Sequence, residues 1–343
     1  KGMARKLSMP EAFLYLPVGD RREILQTAAT QLGQQATVLE KDVWVCWTLQ
    51  ALFSMPDAHP MAFKGGTSLS KVYGAINRFS EDVDVTLDYR AFEDDFDPFA
   101  EGVSGSAIKK FSKRLKGYVL QYANDIVVPY IEALLKELPT PEDYGIEVSD
   151  DGEKIWVQYP SAIESGDEYL PGSILIELGG RNVIDPNERH TITPDISALV
   201  TGLSFPSSEV VVLSPERTFW EKATLIHVEC NRKGFKADAH RFSRHWYDLQ
   251  MLAAHHSGKT AIKNRELFED VVRHKQIFFN SAYANYEACL ENKLSLIPGD
   301  GAIAELRTDY EKMLGAGMLY GEAPSFDDII TRMCEIEREV NKW

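Results

Sequence analysis

The chain has 343 residues, of which 44% are hydrophobic and 26% charged, and this composition excludes a disordered or fibrous protein. Four cysteines are scattered without a C-x-x-C pair, which favours a reducing compartment and disfavours a zinc knuckle. No apolar run reaches the roughly 18 residues of a membrane span, and no apolar signal-peptide region follows Lys1-Gly2-Met3. We therefore expect a soluble protein of the cytoplasm without a membrane partner.

The net charge of −15 disfavours nucleic acid as a partner overall, but the charge is unevenly distributed. Residues 109–116 contain five basic residues and no acid, and residues 231–245 contain five basic residues and one acid. Such patches can hold phosphate on an acidic protein. Residues 109–116 alone are more typical of a solvated helix face, so the second patch is the stronger RNA-binding candidate. Its basic residues are Arg232, Lys233, Lys236, Arg241 and Arg244.

The first elements are predicted from periodicity. Residues 20–55 favour two helices, the second at about 40–54 and largely buried. The residues M-A-F-K at 61–64 predict a short strand, which Gly65-Gly66 and a helix from Thr67 to about Ile76 follow.

A second strand, D-V-D-V-T-L-D-Y, is predicted to begin near Ser80, and a long helix is predicted over 105–137. Strands are then expected at 154–160, 173–179 and 208–214. From Pro215 the pattern is helical almost to the end, and Ser325 with Asp328 predicts the start of the last helix. The order predicts an N-terminal α/β half with a mixed sheet and a C-terminal helical half.

Asp82 and Asp84 alternate with Val83 and Val85 in the second predicted strand. Because residues two apart on a strand point to one face, both carboxylates project together while the valines are buried. Two adjacent carboxylates stay ionised at low cost only when a cation lies between them. Oxygen ligands of this kind select Mg²⁺ or Mn²⁺. A D-x-D pair alone is nevertheless also typical of a solvated strand edge.

Gly65-Gly66-Thr67-Ser68 lies between the first strand and its helix. Glycines let a phosphate approach the backbone, the helix N-terminus offers free N–H groups, and the hydroxyls add donors. A P-loop is excluded because no glycine precedes Lys71 and Val72 follows it. G-G-T-S alone is also typical of a simple turn, so only the ordered combination with the D-x-D strand indicates a nucleotide site.

The residues F-K-G-G-T-S-L-S-K (63–71) and N-R-F-S-E-D-V-D-V (77–85) resemble the first motif of the AbiEii/AbiGii toxin family. That family is a branch of the DNA polymerase β-like nucleotidyltransferase superfamily. The resemblance spans about residues 36–343, and three further segments resemble the family in the same order. These segments are I-L-I-E-L-G-G-R (174–181), P-E-R-T-F-W-E-K-A-T-L-I-H (215–227) and S-R-H-W-Y-D-L (243–249).

The resemblance implies an α+β fold, with a nucleotidyltransferase-like mixed sheet and flanking helices over 1–208 and a mainly helical domain over 209–343. It assigns Asp82 and Asp84 as ligands of two Mg²⁺ ions that bridge a nucleoside triphosphate. Glu177 occupies the third-carboxylate position, where it could complete the metal site and help to deprotonate the attacking hydroxyl.

The resemblance also implies phosphate contacts. Thr67 and Ser68 would hold the β- and γ-phosphates, and Arg181 is a further phosphate candidate. Lys222 and Asp248 match the family's helical pair, in which the lysine neutralises the triphosphate and the aspartate orients the lysine or a nearby arginine. His240 and His245 lack the H-D pair of a metal-dependent phosphohydrolase and are more typical of structural or phosphate-facing histidines.

The function that this resemblance implies is nucleotidyl transfer to an RNA, in particular the acceptor end of tRNA, by the toxin of a type IV toxin–antitoxin pair. The implied partner is a neighbouring winged-helix antitoxin that need not bind the toxin directly. Two alternatives stay open: the acceptor could be a protein or a small molecule, or the chain could be a non-catalytic nucleotide-binding interaction protein. The three carboxylates argue against the last alternative, because binding alone does not require them.

Overall fold

The computed structural model describes residues 11–163, 172–232 and 241–343. Within these residues the chain forms a seven-stranded mixed sheet, a small two-stranded sheet and a largely helical C-terminal part. The strands are β1 Glu11–Ala12, β2 Met61–Lys64, β3 Val83–Asp88, β4 Gly145–Val148, β5 Lys154–Gln158, β6 Ser173–Asn182, β7 Asn187–Ile192, β8 Leu203–Ser204 and β9 Ser208–Leu213. The helices are α1 Val18–Leu32, α2 Ala36–Phe53, α3 Gly65–Lys71, α4 Gly105–Tyr122, α5 Val128–Leu135, α6 Pro215–Cys230, α7 Arg244–Ala254, α8 His256–Ile262, α9 Arg265–Phe278, α10 Tyr286–Leu290, α11 Asp300–Gly315 and α12 Phe326–Val340.

The large sheet has the strand order β4-β5-β6-β3-β2-β9-β7. β3 runs parallel to β6 and antiparallel to β2, while β2 runs parallel to β9. The α+β class with a mixed sheet, predicted from the sequence, is therefore confirmed.

The central strands follow the two-residue period of a sheet that is packed on one face. Along β6 every second residue is buried, and in β3 Val83 and Val85 are at most 1% exposed. These side chains share a core with α2, whose apolar residues are buried around most of the helix, including Trp44. The opposite face of β3 and β6 is left for the polar residues that alternate with them.

α4 lies close against β6 because glycine occupies the crossing point. A Cβ atom built on Gly180 would lie 2.1 Å from Cγ2 of Val119. After a single π-helical turn, Ala123–Val127, the helix continues as α5. The long helix predicted over 105–137 is thus confirmed in position, with this turn as the local irregularity.

The C-terminal helices enclose a second core, built mainly from α6, α7, α9 and α12. β9 belongs to the large sheet and leads directly into α6, which starts at Pro215 with Ser214 as its N-cap. The predicted domain boundary between residues 208 and 209 falls at the start of β9, and the division into two domains remains a prediction.

Most predicted elements are found, but the chain around the D-x-D pair differs. The helix after Gly66 ends at Lys71 rather than near Ile76, and the strand starts at Val83 rather than near Ser80. The intervening residues leave the sheet because their backbone bonds to the C-terminal part: Phe79 N–H donates to Met318 O at 2.8 Å. The capping box at Ser325 is present as predicted.

Strands β4 and β7 were missed by the sequence analysis. β7, at Asn187–Ile192, is an edge strand with mostly polar, exposed residues, so it shows no apolar alternation. β4, at Gly145–Val148, is a four-residue edge strand that is only partly buried. Among the helices that the structure describes, none is long and apolar enough to cross a membrane.

The contact of Gly180 with Val119 makes a testable prediction. Gly180→Ala would force the added methyl group into α4, and overpacking of this kind lowers the free energy of unfolding by about 1–3 kcal/mol. Gly117→Ala in the same helix is the matched control, since nothing lies within 4 Å of its added Cβ. That control should stabilise by about 0.5–1 kcal/mol. Chemical denaturation measures both, and equal stability of the two variants would contradict the close contact.

Candidate active site

A row of four ionisable residues crosses one face of the sheet. In the register of the strands Lys64 pairs with Asp84, Asp84 with Glu177, and Glu177 with Lys154. The two carboxylates are therefore adjacent at the centre, with one lysine on each side. Lys154 Nζ lies 3.2 Å from Glu177 Oε1. Asp82 precedes the first residue of β3, two positions before Asp84.

Gly65 and Gly66 bring the start of α3 into direct contact with this row. A Cβ atom on Gly65 would lie 1.9 Å from Asp84 Oδ2, and the residue has a φ of 80°. A Cβ atom on Gly66 would lie 2.4 Å from Nη2 of Arg78. Any other residue at either position would displace a charged side chain, so the two glycines are required by close approach.

Thr67 and Ser68 lie behind the cavity wall. Thr67 Oγ1 donates to Asp82 O at 2.6 Å, and Ser68 Oγ donates to Gly65 O at 3.0 Å. Both residues are at most 2% exposed. In this structure their hydroxyls therefore fix the backbone of the two neighbouring site residues and do not line the cavity. The backbone of Gly65 and Gly66 does line it.

The electrostatics of the carboxylates reflect their crowding. Burial, the hydrogen bond with Glu177 and the charges of Glu177 and Asp82 raise the pKa of Asp84 to about 7. Burial also raises the pKa of Asp82, against the opposing effect of Arg244. Although burial opposes it, hydrogen bonds with Asp84 and Lys154 hold the pKa of Glu177 below its usual range. The opposite directions of the two pKa shifts place the proton of this pair on Asp84, with Glu177 as its acceptor.

A cavity of about 360 Å³ lies in front of the two aspartates, between the sheet and α6, α7 and α9. Leu225, Val228 and Tyr286 give it an apolar part. Its cationic residues come from five different parts of the chain. They are Lys64, Arg78, Lys222, Arg244 and Lys275.

Asp248 is fully buried behind this cavity and binds two of the cations. Arg78 donates to it twice, with Nε to Oδ1 at 2.6 Å and Nη2 to Oδ2 at 2.8 Å. Lys222 Nζ lies 2.8 Å from Oδ2. Although burial opposes ionisation, these two cations hold the pKa of Asp248 well below its usual range. The predicted pairing of Lys222 with Asp248 is thus present in the structure, and Arg78 is the arginine that joins it.

Glu221 holds the second group of cations. Its carboxylate lies 3.1 Å from Lys64 Nζ, and the charges of Lys64 and Lys275 keep its pKa well below the usual range despite its burial. Burial lowers the pKa of Lys275 to about 8. Lys275 also lies against the ring of Phe279, with Nζ 4.4 Å from the centroid.

The other predicted residues lie at different distances from the centre. Arg244 lines the cavity, with Nη1 3.8 Å from Asp82 Oδ2. Arg241 pairs with Glu81 at 3.2 Å, and Arg232 pairs with Glu229 at 2.8 Å. Arg181 lies outside this cavity, further along β6. Lys233 and Lys236, like His240, lie outside the described residues.

Sequence reasoning did not assign Lys64, Arg78 or Lys275 to the site. Both Lys64 and Arg78 belong to the quoted motif: Lys64 directly precedes Gly65, and Arg78 lies four residues before Asp82. Their place in the motif is a signal that could have identified them. Lys275 is a helix lysine without any local signal. His245 also lines the cavity, and its Nδ1 has no hydrogen-bond partner among the described residues. Burial and the Lys222 and Arg244 cations hold its pKa well below the usual range, so it is a neutral imidazole.

The carboxylates fit a hard divalent cation by their chemistry. Mg²⁺ typically takes one or two protein carboxylates and completes its shell with water and substrate phosphates. Asp82 and Asp84 provide such a pair, and their mutual repulsion is what a cation would relieve. Within the part of the chain that the structure describes, no group of three or more His, Cys, Asp or Glu side chains is arranged to hold a metal by itself.

Asp84 on a central strand, Asp82 just before that strand and the Gly-Gly helix start beside them form the arrangement that the sequence resemblance implies for a nucleotidyltransferase. The family model for the nucleotidyl transferase AbiEii toxin of type IV toxin–antitoxin systems matches residues 47–332. The chain therefore belongs to the AbiEii family and is a nucleotidyltransferase, which confirms the resemblance found in the sequence.

Among solved structures, the fold is similar to that of MenT4, a nucleotidyltransferase toxin from Mycobacterium tuberculosis H37Rv. The TM-score is 0.50 at 16% sequence identity, and the similarity covers 94% of this chain and 90% of that chain. At this identity the similarity shows the fold alone. A search of curated proteins found no significant match.

The crowding of Asp84 makes stability depend on pH. The Asp84 carboxyl group binds its proton more tightly in the folded state than in the unfolded state. The free energy of unfolding of the parent therefore falls as the pH rises from about 4 to about 7. Asp84→Asn removes this loss and can still donate to Glu177, so its gain in melting temperature should be larger at pH 8 than at pH 5 in metal-free buffer. The exposed Asp20→Asn is the control and should follow the parent. A loss of stability in Asp84→Asn at pH 8 would contradict the assignment.

The buried contacts of Asp248 predict a non-additive double mutant. Asp248→Ala leaves two buried cations without their counter-charge and should cost about 3–5 kcal/mol of the free energy of unfolding. Lys222→Ala should cost less, because the carboxylate keeps both bonds from Arg78. The double variant should therefore be less destabilised than the sum of the two. Denaturant titration of the four proteins tests this, and simple additivity would mean separate roles.

Proposed function

We propose that this nucleotidyltransferase transfers a nucleoside monophosphate from a nucleoside triphosphate to an RNA, with the acceptor end of tRNA as the leading candidate. The observation that supports it most is the juxtaposition of Asp82 and Asp84 with a cation-lined cavity of about 360 Å³. Mg²⁺, or Mn²⁺ in its place, is the proposed cofactor, and the cytoplasm is the proposed site of action.

The triphosphate is proposed to lie along the backbone of Gly65 and Gly66. Free N–H groups at the start of α3 and the nearby cations Lys222 and Arg78 would bind its phosphates. Lys275, a partly buried lysine without a direct carboxylate contact among the described ion pairs, would stabilise the leaving pyrophosphate. Arg181, the further phosphate candidate from the sequence, lies too far along β6 to share this cavity and is assigned below to the acceptor.

The proposed reaction is an in-line displacement. The oxygen of an RNA hydroxyl forms a bond to the α-phosphorus while the bond to the pyrophosphate oxygen breaks. The proton of the hydroxyl passes to a carboxylate, for which Glu177 is placed beside Asp84. The divalent cation, when bound by Asp82 and Asp84, would lower the charge repulsion between the attacking and leaving oxygens.

The proposed acceptor rests on the family to which the chain belongs. The family consists of toxins of type IV toxin–antitoxin systems, for which RNA is the acceptor that the sequence resemblance implies. The same resemblance implies a winged-helix antitoxin as partner, without an obligatory contact. A protein or a small molecule could use the same catalytic groups, so the experiment has to present all three kinds of acceptor.

The test incubates the protein with each labelled nucleoside triphosphate, Mg²⁺ or Mn²⁺, and total RNA, total protein or small-molecule extract. We expect label in RNA, dependence on the divalent cation and loss of transfer after chelation. Asp82→Asn and Asp84→Asn should each lower transfer by at least a factor of about 100, since each removes a carboxylate that has to hold the cation. Asp20→Asn, an exposed change on α1, should retain the activity of the parent.

Nucleotide binding is measured separately by thermal shift. Mg²⁺ with nucleoside triphosphate should raise the melting temperature of the parent but not that of Asp82→Asn or Asp84→Asn, because a ligand stabilises only the state that binds it. Label in protein or in a small molecule would replace the RNA proposal. Full transfer activity in either variant would overturn the assignment of the carboxylates.

A further inference from the structure

Two further cavities lead away from the nucleotide cavity along β6. The first has a volume of about 250 Å³ and is lined by Glu177 and Arg181, and it shares Lys64, Asp84 and Phe279 with the nucleotide cavity. The second is a groove of about 910 Å³ between the first turns of α4 and the end of α9. The groove shares Arg181 with the first cavity, so the three spaces are neighbours in the order from Asp84 to the start of α4, and we call this row of spaces the path.

The outer end of this path is positively charged. Lys109, Lys110 and Lys113 are exposed on α4, and none of them forms an ion pair with a residue that the structure describes. Lys109 lines the groove itself, together with Ser106 and Ser112. On a chain with a net charge of −15, three adjacent unpaired lysines give a local surface that attracts anions.

Arg181 lies at the junction of the two spaces. It is on the same face of β6 as Glu177, four residues further along, which places the two Cα atoms about 13 Å apart at 3.3 Å per residue. Its guanidinium lies 4.8 Å from the ring centroid of Phe279, and its nearest carboxylate, Glu153, is 3.8 Å away. Nη1 also donates a long hydrogen bond of 3.4 Å to Phe278 O. Arg181 is thus held in place by packing and by two long contacts, and a guanidinium has further donors for a phosphate.

We propose that the unpaired 3′ end of an RNA acceptor lies along this path, with its backbone on Lys109 and Arg181 and its terminal hydroxyl at Glu177. The inference rests on the proposed function and adds the position and form of the acceptor. The space of about 250 Å³ between Arg181 and Glu177 is too small for an RNA duplex, so the acceptor enters it as a single strand. An overhang of about four nucleotides is long enough to cover the distance of about 13 Å even when its bases are stacked at about 3.4 Å each.

The path separates the two substrates physically. The triphosphate occupies the side of Asp84 that faces Lys222, while the acceptor approaches from the side of Glu177. Such an arrangement brings a hydroxyl opposite the leaving pyrophosphate, as in-line displacement requires. The basic residues 109–116, which the sequence alone favours as a solvated helix face, then become an RNA contact.

The test uses the full chain with Lys109→Glu and Lys113→Glu combined, and separately Arg181→Ala. The matched control is Lys259→Glu with Lys263→Glu, an equal change of charge at two exposed lysines, one on α8 and one directly after it, that line neither space. Fluorescence anisotropy measures binding of a labelled duplex RNA with a four-nucleotide 3′ overhang and of the same duplex with blunt ends, across a salt series. Transfer to the overhang RNA and the thermal shift with Mg²⁺ and nucleoside triphosphate are measured in parallel.

The variant that combines Lys109→Glu with Lys113→Glu is called the α4 variant. We expect it to bind the overhang RNA at least tenfold more weakly than the control variant does. Its slope of log affinity against log salt should fall by about 0.7 for each lost phosphate contact. Arg181→Ala should weaken binding of the overhang RNA and leave that of the blunt duplex unchanged. All variants should keep the thermal shift produced by the nucleotide, because the nucleotide cavity is unchanged.

Equal weakening in the α4 variant and the control would mean that only net charge matters and would overturn the path. Equal affinity of the parent for overhang and blunt RNA, or no affinity for either, would also overturn it. Failure of the proposed function looks different: the parent would bind the overhang RNA and the nucleotide but transfer no label to the RNA.

Discussion

The buried carboxylate of Asp248 is the contact on which the rest of the site depends. It receives two hydrogen bonds from Arg78, in the segment before β3, and an ion pair from Lys222 on α6, while it belongs itself to α7. One anion thus joins the sheet to two helices of the C-terminal part. Because charged groups are costly to bury unless they are paired, none of the three segments can move without exposing or isolating a charge. The position of the cavity is fixed by this constraint.

The second constraint is the close approach of backbone to side chain at glycine. At Gly65 the backbone leaves no room for a Cβ beside Asp84, and at Gly180 it leaves none beside Val119. The first glycine puts the N–H groups at the start of α3 next to the carboxylate of Asp84. The second seats α4 on β6, so that the start of α4 lies near Arg181. Both glycine pairs in the sequence therefore position helices relative to the central strands.

The sequence was sufficient to predict the parts of the site that are local in the chain. The alternation of Asp82 and Asp84 with valines predicted the strand and its two faces, and the Gly-Gly pair predicted the helix start beside it. The strand register that places Glu177 beside Asp84 could be assigned only through the family resemblance, since pairing between distant strands leaves no local pattern.

Other features could not be predicted because they arise only from tertiary contacts. Nothing in the helical pattern around Lys275 indicates that it is partly buried beside Glu221. The inward direction of the Thr67 hydroxyl depends on the position of the distant residue Asp82, because the hydroxyl donates to Asp82 O. β7 was missed because an exposed polar edge strand lacks the apolar alternation by which strands are recognised. The local sequence pattern was therefore sufficient to predict the position of the two aspartates. Most of the cations around them could not be predicted, because tertiary packing brings them to the cavity.

The balance of charge around the cavity indicates whether a nucleotide would bind alone or together with divalent cations. The five cations of the cavity are equal in number to the carboxylates of the cavity and of its back wall. These carboxylates are Asp82, Asp84, Glu221, Glu229 and Asp248. A free triphosphate, which is strongly anionic, would meet no excess of positive charge there and would be repelled by the two aspartates. A triphosphate that arrives with divalent cations is close to neutral and brings the charge that Asp82 and Asp84 lack. The cavity is therefore suited to a metal–nucleotide complex rather than to the nucleotide alone.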